Sequence, residues 1–459
     1  MTLDYEKIFK KLTKNGCEHA EVYHEEVTST IIQKEAGRFE KLQTGTDAGL
    51  GIRLIKGHRT FYSFTNFIDQ KSIEEHAREL SSLSVSEKSN IINVLPGELS
   101  PVSHQVVIPP KEKSVEDKIR IVERADSTAK KYDSRIVSVN VNYIETEKRI
   151  NIFNLKKEPI SEIRTYTTLL VHVVATDGRV IETGYNVEGG LVGFELFEQN
   201  PPEEIALNAV RQAISLLSAP YAPAGKMVVV LGSDAGGTMI HEAVGHGLEA
   251  DHVQDKSSIY AGKKGEMVAS PLITVVDDPT IPNKRGSYTH DDEGIPGQRK
   301  VLIEKGILKD FMYDVLTAMR DGKSSNGNGR RESYRHRPIP RMSNTLIAPG
   351  EHDPDEIIRS VEKGLYVKKM GGGEVNTLTG DFVFHVMEGY RIEKGKIGEM
   401  VKGATITGNG PEILKSIDMV GNDLGFGIGT CGKEEQGVPV ADAQPTLRVP
   451  EMIVGGIAE

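Results

Sequence analysis

The stretch Gly236-Gly237-Thr238-Met239-Ile240-His241-Glu242-Ala243-Val244-Gly245-His246-Gly247-Leu248-Glu249-Ala250-Asp251 reads as a glycine-rich lead into a helix. The apolar run 227–231 precedes it and predicts a buried strand. Ser233 and Asp234 are helix-capping residue types, so one of them is expected to cap this helix. The familiar metal-binding helix is His-Glu-x-x-His, which sets two imidazoles four positions apart on one face. Here the second histidine comes one residue later. Side chains five apart on a regular α-helix point roughly 140° away from each other, against about 40° for four apart. His241 and His246 can therefore share one ion only if the helix leaves α geometry. An i→i+5 turn supplies that departure, and Gly245 and Gly247 flank His246 with residues that tolerate it. A π-type distortion is expected over residues 242–247.

Glu242 follows the first histidine, the position of the general base in the four-spaced motif. Neutral imidazoles suit zinc, and a catalytic zinc site takes three protein ligands and leaves one position for water. Such an ion brings the pKa of its water near neutrality, so that a carboxylate can take the proton during attack on a carbonyl. Spacing leaves the third ligand open. Glu249, Asp251 and His252 are all close by, and each also reads as a solvated helix end. Cys431, far downstream between glycines in Gly427-Ile428-Gly429-Thr430-Cys431-Gly432-Lys433, offers a thiolate. A lone cysteine is more often a small buried apolar residue than a ligand.

Outward from this segment the pattern is α+β. A domain of residues 1–219 is expected to combine strands and helices. A sheet-rich domain of residues 220–459, beginning at Pro220-Tyr221-Ala222-Pro223-Ala224-Gly225, carries the histidine helix and short strands broken by Gly, Pro and Asp-Asp turns. In the first half an amphipathic helix (Leu3, Ile8, Phe9, Leu12) precedes strands over 20–65, and a helix follows over 69–83. Residues 84–112, rich in serine and proline, read as a linker and a sub-boundary. A second round opens at Ser114-x-x-Asp117, a capping-box pattern, with Val115, Ile119 and Val122 marking a buried face. Val137, Val139, Val141 and Tyr143 alternate as a strand. Strands at 150–153 and 167–175, the turn Asp177-Gly178 and a helix over 203–217 follow. Helix, sheet and helix thus occur twice, as a duplicated layout without residue-level repeat.

Composition narrows the function classes. The chain has 459 residues, 38% hydrophobic and 27% charged, with 47 glycines and no tryptophan, which suits a globular protein with aliphatic cores. Net charge is −10, and the one dense basic run, Gly329–Arg337, is interrupted by Glu332, which disfavours nucleic acid as a partner. No apolar run is long enough to span a membrane and the N-terminus has no signal-peptide core, so membrane association and export are not expected. Two cysteines make no disulfide framework, and a cytoplasmic location is expected. Gly371-Gly372-Gly373 and Gly408-Asn409-Gly410 lack the context of a phosphate loop.

HEAVGHGLEAD (241–251), DDEG (291–294), GNGRRESYRHRPIPRMSNT (327–345) and GTCGKEEQGVPVADAQPTLRVPEMIVGG (429–456) together resemble the TldD branch of the TldD/PmbA family. The resemblance covers most of the C-terminal half, with the N-terminal half similar in layout. It implies a metallopeptidase that cleaves unstructured peptides between two subunits. The partner is either a PmbA/TldE-like chain lacking the zinc motif or a second copy. The family's zinc ligands map onto His241, His246 and Cys431, for one Zn2+ per chain, and its general base maps onto Glu242. One departure is Glu435-Gln436, where the family has glycine before the glutamine. Asp291, Asp292 and Glu293 are expected to orient a histidine, to bind a substrate amine, or to form a solvated turn. Among Arg330, Arg331, Arg335, His336 and Arg341 one is a candidate to grip a peptide carboxylate or an oxyanion, with surface ion pairing the expectation for each. The rival reading is a non-enzymatic regulator that binds a protein partner, such as the gyrase modulation once attached to this family, with a structural metal. Zinc hydrolysis of a non-peptide amide shares the site.

Overall fold

The structure, a computed structural model, describes residues 3–83, 101–155 and 157–456. Residues 84–100 of the expected linker lie outside the described residues. The rest of that segment holds a short strand, Pro101–Ser103, and a 3-10 turn, Pro110–Glu112.

The duplicated layout is real. Helix Tyr5–Leu12, three strands and helix Gln70–Leu83 are followed by helix Val115–Tyr132, three strands and helix Pro202–Ser218. All six long strands join one antiparallel sheet in the order Arg59–Thr65, Arg38–Lys56, His19–Glu35, Ile136–Asn154, Lys157–Thr176, Ile181–Gly190. The two rounds thus meet strand to strand at their first members. Period-2 alternation gives this sheet two buried faces. On one, Val22, Leu50, Ile52 and Leu54 pack against Ile8, Phe9, Ile73 and Ala77, and Val139, Val141, Leu169 and Val171 pack against Ile121, Val122, Ala125 and Ala206. The Ser114–Asp117 capping box is present. Val115, however, is 41% exposed, because the helix turns Ile121, Val122 and Ala125 to the sheet instead. Val137 is also exposed, since a register shift between Ile136 and Ser138 breaks the alternation there.

The other face carries charge, and it meets the C-terminal half. Arg53 pairs with Glu293 and lies 3.6 Å from Asp314. Arg331 pairs with Glu21, and Arg164 Nη1 donates to Asp292 Oδ1 at 2.9 Å. All of these side chains are buried. Burial alone would push the carboxyls of Glu21 and Asp292 up, but the neighbouring guanidinium groups overcome it and hold both below the usual range. Asp291 accepts from the amides of Glu293, Ile295 and Gly329. The DDEG turn therefore neither orients a metal-site histidine nor faces solvent. It ties the two halves together.

The C-terminal half has two sheets. Strand Gly225–Leu231 is buried from Val229 onward, as expected, and pairs parallel with Lys363–Val375 and antiparallel with Leu447–Gly455. Lys363–Val375 and Asp381–Glu393 are longer than the short strands expected here. The second sheet runs Ile307–Leu308, Lys300–Glu304, Val275–Asp277, Asn344–Ile347, Gln436–Gln444, Gly425–Lys433. Met239, Ile240, Val244 and Leu248 of the histidine segment pack in one core with Val229, Leu231 and Leu365 of the first sheet and Val438 and Val440 of the second. The hairpin Gly425–Lys433/Gln436–Gln444 turns through Glu434 and Glu435, whose φ values are 49° and 60°.

Two stability predictions follow from these contacts. Arg53→Met leaves Glu293 buried without its cationic partner, and a urea titration followed by circular dichroism should show a loss of about 3–5 kcal/mol. The exposed Arg335–Asp47 pair is the control, and Arg335→Ala should change stability by less than about 1 kcal/mol. Glu435 takes the left-handed conformation at a side-chain penalty, so Glu435→Gly should raise stability by roughly 1 kcal/mol in the same titration.

Candidate metal centre

The histidine segment departs from α geometry where the spacing requires it. Thr238–Ile240 is α-helical, His241–Gly245 is a π turn, and His246–Leu248 is 3-10. Neither Ser233 nor Asp234 caps it. They form a 3-10 turn of their own, and Gly237 holds the cap position without a side-chain bond. Glycine is required at that point, because a Cβ on Gly237 would lie 2.4 Å from the Ala443 amide. A Cβ on Gly245 would strike Met342 Sδ at 2.1 Å, so the π turn packs against its neighbour without room for a side chain.

The π turn brings the two imidazoles face to edge, with ring centroids 5.1 Å apart and planes at 89°. Strand Gly425–Lys433 delivers Cys431 to the same point, with Sγ 3.6 Å from His246 Nε2. Ligand atoms of His241, His246 and Cys431 all lie within 4.8 Å of one another. Zinc bond lengths of about 2.3 Å to sulfur and about 2.1 Å to nitrogen, at a tetrahedral angle, put S and N about 3.6 Å apart. The donor set and its spacing fit one zinc ion.

Electrostatics prepare the same chemistry. Burial opposes a charge on Cys431, yet His241 and His246 draw its thiol well below the ordinary range, toward the thiolate that ligates metal. Burial lowers His241 while Cys431 raises it, and the net direction is up. His246 Nδ1 lies 3.1 Å from Glu249 Oε2, which fixes the proton on Nδ1 and leaves Nε2 toward Cys431. Glu249 is fully buried, and Lys433 and His246 overcome the burial to keep it ionised.

The expected alternatives for the third ligand resolve by position. Glu249 turns to the back of His246. Lys433 Nζ sits 3.0 Å from Glu249 Oε2 and 2.8 Å from Asp251 Oδ1, an ammonium in the space a second cation would need. His252 Nδ1 pairs with Ser257 Oγ at 3.1 Å. Arg341, fully buried, donates to the carbonyls of Cys431 and Gln436, with Nε 3.9 Å from Glu249. It supports the ligand strand and has no surface pairing role. Arg330 and Arg331 are likewise buried, Arg335 pairs with Asp47 at the surface, and His336 meets Ser333 Oγ at 3.0 Å.

Glu242 stands apart from the three donors. Its Oε2 is 3.8 Å from His246 Nε2, and its side chain is 34% exposed to a cleft of about 730 Å³. His241, Asp442, Phe426–Thr430 and, from the N-terminal sheet, Tyr185–Glu188 line this cleft. Asp442 was not legible from motif spacing. Burial raises its carboxyl, Glu242 and Cys431 add to the rise, and His241 opposes it. The only sequence signal is its alternation with Val440 on the strand that pairs with Cys431's.

The chain resembles known proteins along nearly its whole length. Residues 224–456 match the PmbA/TldA metallopeptidase C-terminal domain, 108–217 its central domain and 20–84 its domain 1. The chain is 39% identical to the metalloprotease TldD homolog of Haemophilus influenzae, over 98% of this chain and 95% of that one. It is 28% identical to the zinc metalloprotease TldD homolog of Saccharolobus solfataricus, over 98% and 99%. Among solved structures, TldE from Thermococcus kodakarensis superposes with a TM-score of 0.75 at 19% identity, over 98% and 99%, and so shares the fold. With all three domains matched in order, this chain belongs to the PmbA/TldD family of metallopeptidases.

Proposed function

We propose that the chain is a zinc-dependent peptidase acting on unstructured or extended peptides. In this reading His241, His246 and Cys431 hold one zinc ion and Glu242 is the general base. The observation that carries it is the placement of Glu242 beside three converging donors, outside their cluster and open to the cleft. Zinc bound there would polarise the scissile carbonyl and acidify a water molecule. Glu242 takes the proton of the attacking water on a carboxylate oxygen and returns it to the departing amine. Asp442, facing His241 within the cleft, holds that imidazole in place electrostatically. Strand Gly425–Lys433 stands at the end of its sheet, and its lining residues 427–430 lead to Cys431. An extended peptide laid against this edge would present successive carbonyls to the metal, whereas most backbone groups of a folded protein are already paired. That supports extended substrates.

The regulator reading requires a fourth protein ligand. Among the described residues the cluster has three, which favours the enzyme. We also propose that the chain works as a dimer, either with a PmbA/TldE-like chain or with itself. No helix among the described residues is long and apolar enough to cross a membrane, and we place the activity in the cytoplasm.

Metal analysis of the purified chain should return one zinc, and a chelator should abolish cleavage of a disordered protein. Glu242→Gln should lower that cleavage about 10²–10⁴-fold with zinc content unchanged. Full activity in this variant would overturn the mechanism. Glu249→Gln removes the carboxylate charge behind His246 and should weaken zinc affinity about 10–100-fold, read by competition with a chromogenic chelator.

A further inference from the structure

A second cavity, of about 190 Å³, lies between the N-terminal sheet and the C-terminal half, on the far side of the Gly425–Gln444 hairpin from the metal-centre cleft. Lys148, Arg164, Arg285, Arg330 and Arg331 line it, with Asp292 and Glu332. Most of this charge is neutralised within the chain. Arg331 is held by Glu21, Arg164 by Glu162 and Asp292, and Lys148 by Glu25 at 2.7 Å. Glu332 accepts from the Gly437 amide at 2.5 Å.

Two guanidinium groups remain. Among the described residues Arg285 donates only to neutral acceptors, Gly429 O at 3.1 Å and Thr168 Oγ1 at 3.3 Å. Arg330, 2% exposed, donates to Met342 O at 2.6 Å and lies over the Tyr288 ring, while its Nε has no hydrogen-bond partner. Among the described residues neither has a carboxylate within 4 Å. Burial and the proximity of Arg330 both depress the pKa of Arg285. Two neighbouring guanidinium groups, one buried and one half-buried, with no carboxylate in ion-pair contact are a costly arrangement, and an anion between them relieves it.

We propose that this cavity is an anion subsite that binds a carboxylate of the peptide substrate, which makes the enzyme prefer substrates carrying that charge a few residues from the scissile bond. The distance fits. Arg285 holds the carbonyl of Gly429, and Gly429 is two strand positions, roughly 7 Å, from Cys431. The carboxylate is either the peptide's C-terminus or an acidic side chain. This inference rests on the peptidase reading for the identity of the ligand, and on the cavity alone for its charge.

The test uses the full-length chain in the Glu242→Gln background, titrated calorimetrically with one N-acetylated hexapeptide of neutral side chains, as the free acid and as the C-terminal amide. A third peptide carries the amide and one internal Glu. A charge-assisted contact should make at least one carboxylate-bearing peptide bind about 10–100-fold more tightly than the neutral amide. The free acid and the Glu peptide tell the two sources apart. Arg285→Gln, at a half-buried position, should remove that preference and leave binding of the neutral amide unchanged. Arg330→Gln should do the same, and 50 mM inorganic phosphate should erode it. Equal binding of all three peptides, or a preference that survives in Arg285→Gln, overturns the subsite. Should the chain with Glu242 intact and zinc bound cleave none of the peptides while the Arg285-dependent preference persists, the peptidase reading fails and the anion subsite stands.

Discussion

One inserted residue between two histidines sets the terms for the whole centre. On an α-helix His241 and His246 would diverge, and no downstream residue could restore a shared ion. The π turn over His241–Gly245 absorbs the insertion in the backbone. A lone π turn is poorly stabilised by its own hydrogen bonds and persists where packing holds it. Here Met342 presses on Gly245, Gly237 sits against the Ala443 amide, and Val244 and Leu248 are fully buried. The site is thus rigid because the core around it is rigid. Gly245 and Gly237 serve that fit through the absence of a side chain.

Around the donors the chain arranges charge in alternating layers. The thiolate-prone Cys431 faces two imidazoles, His246 backs onto Glu249, and Glu249 is neutralised by Lys433, with Arg341 close behind. Each layer stabilises the one inside it. Lys433 is two residues beyond Cys431, so the strand that brings the ligand also brings the counter-ion for the carboxylate that orients His246. One strand thus places both the ligand and that counter-ion.

Local patterns in the sequence foretold much of this, and the failures have physical causes. The π distortion was legible because five-residue spacing and helical pitch are incompatible, which is a geometric statement about two residues. The doubled helix–sheet–helix layout was legible because Val139, Val141 and Tyr143 alternate and Ser114 caps. Val137 misled because a bulge shifts the register, which no alternation reveals. Asp291, Asp292 and Glu293 misled more deeply. An acidic turn is ordinarily solvated, and its burial depends on Arg53 and Arg164, distant residues placed by the N-terminal sheet. Asp442 lay hidden for the same reason, since its importance comes from a strand pairing with Cys431's strand.

The hairpin of Gly425–Lys433 and Gln436–Gln444 unites these observations. Along its second strand, Val440 and Asp442 face the metal-centre cleft while Gly437 and Pro439 face the basic cavity, as the two-residue period of a strand dictates. Its first strand contributes Cys431 to the metal centre and, through the Gly429 carbonyl, accepts from Arg285 of the basic cavity. A shift of this hairpin by one residue would exchange the two sets of side chains and destroy both sites together. Its parallel pairing with Asn344–Ile347 and the Arg341 bonds to Cys431 and Gln436 resist that shift from either end of the turn. Metal geometry and the position of the basic cavity are therefore fixed by a single register.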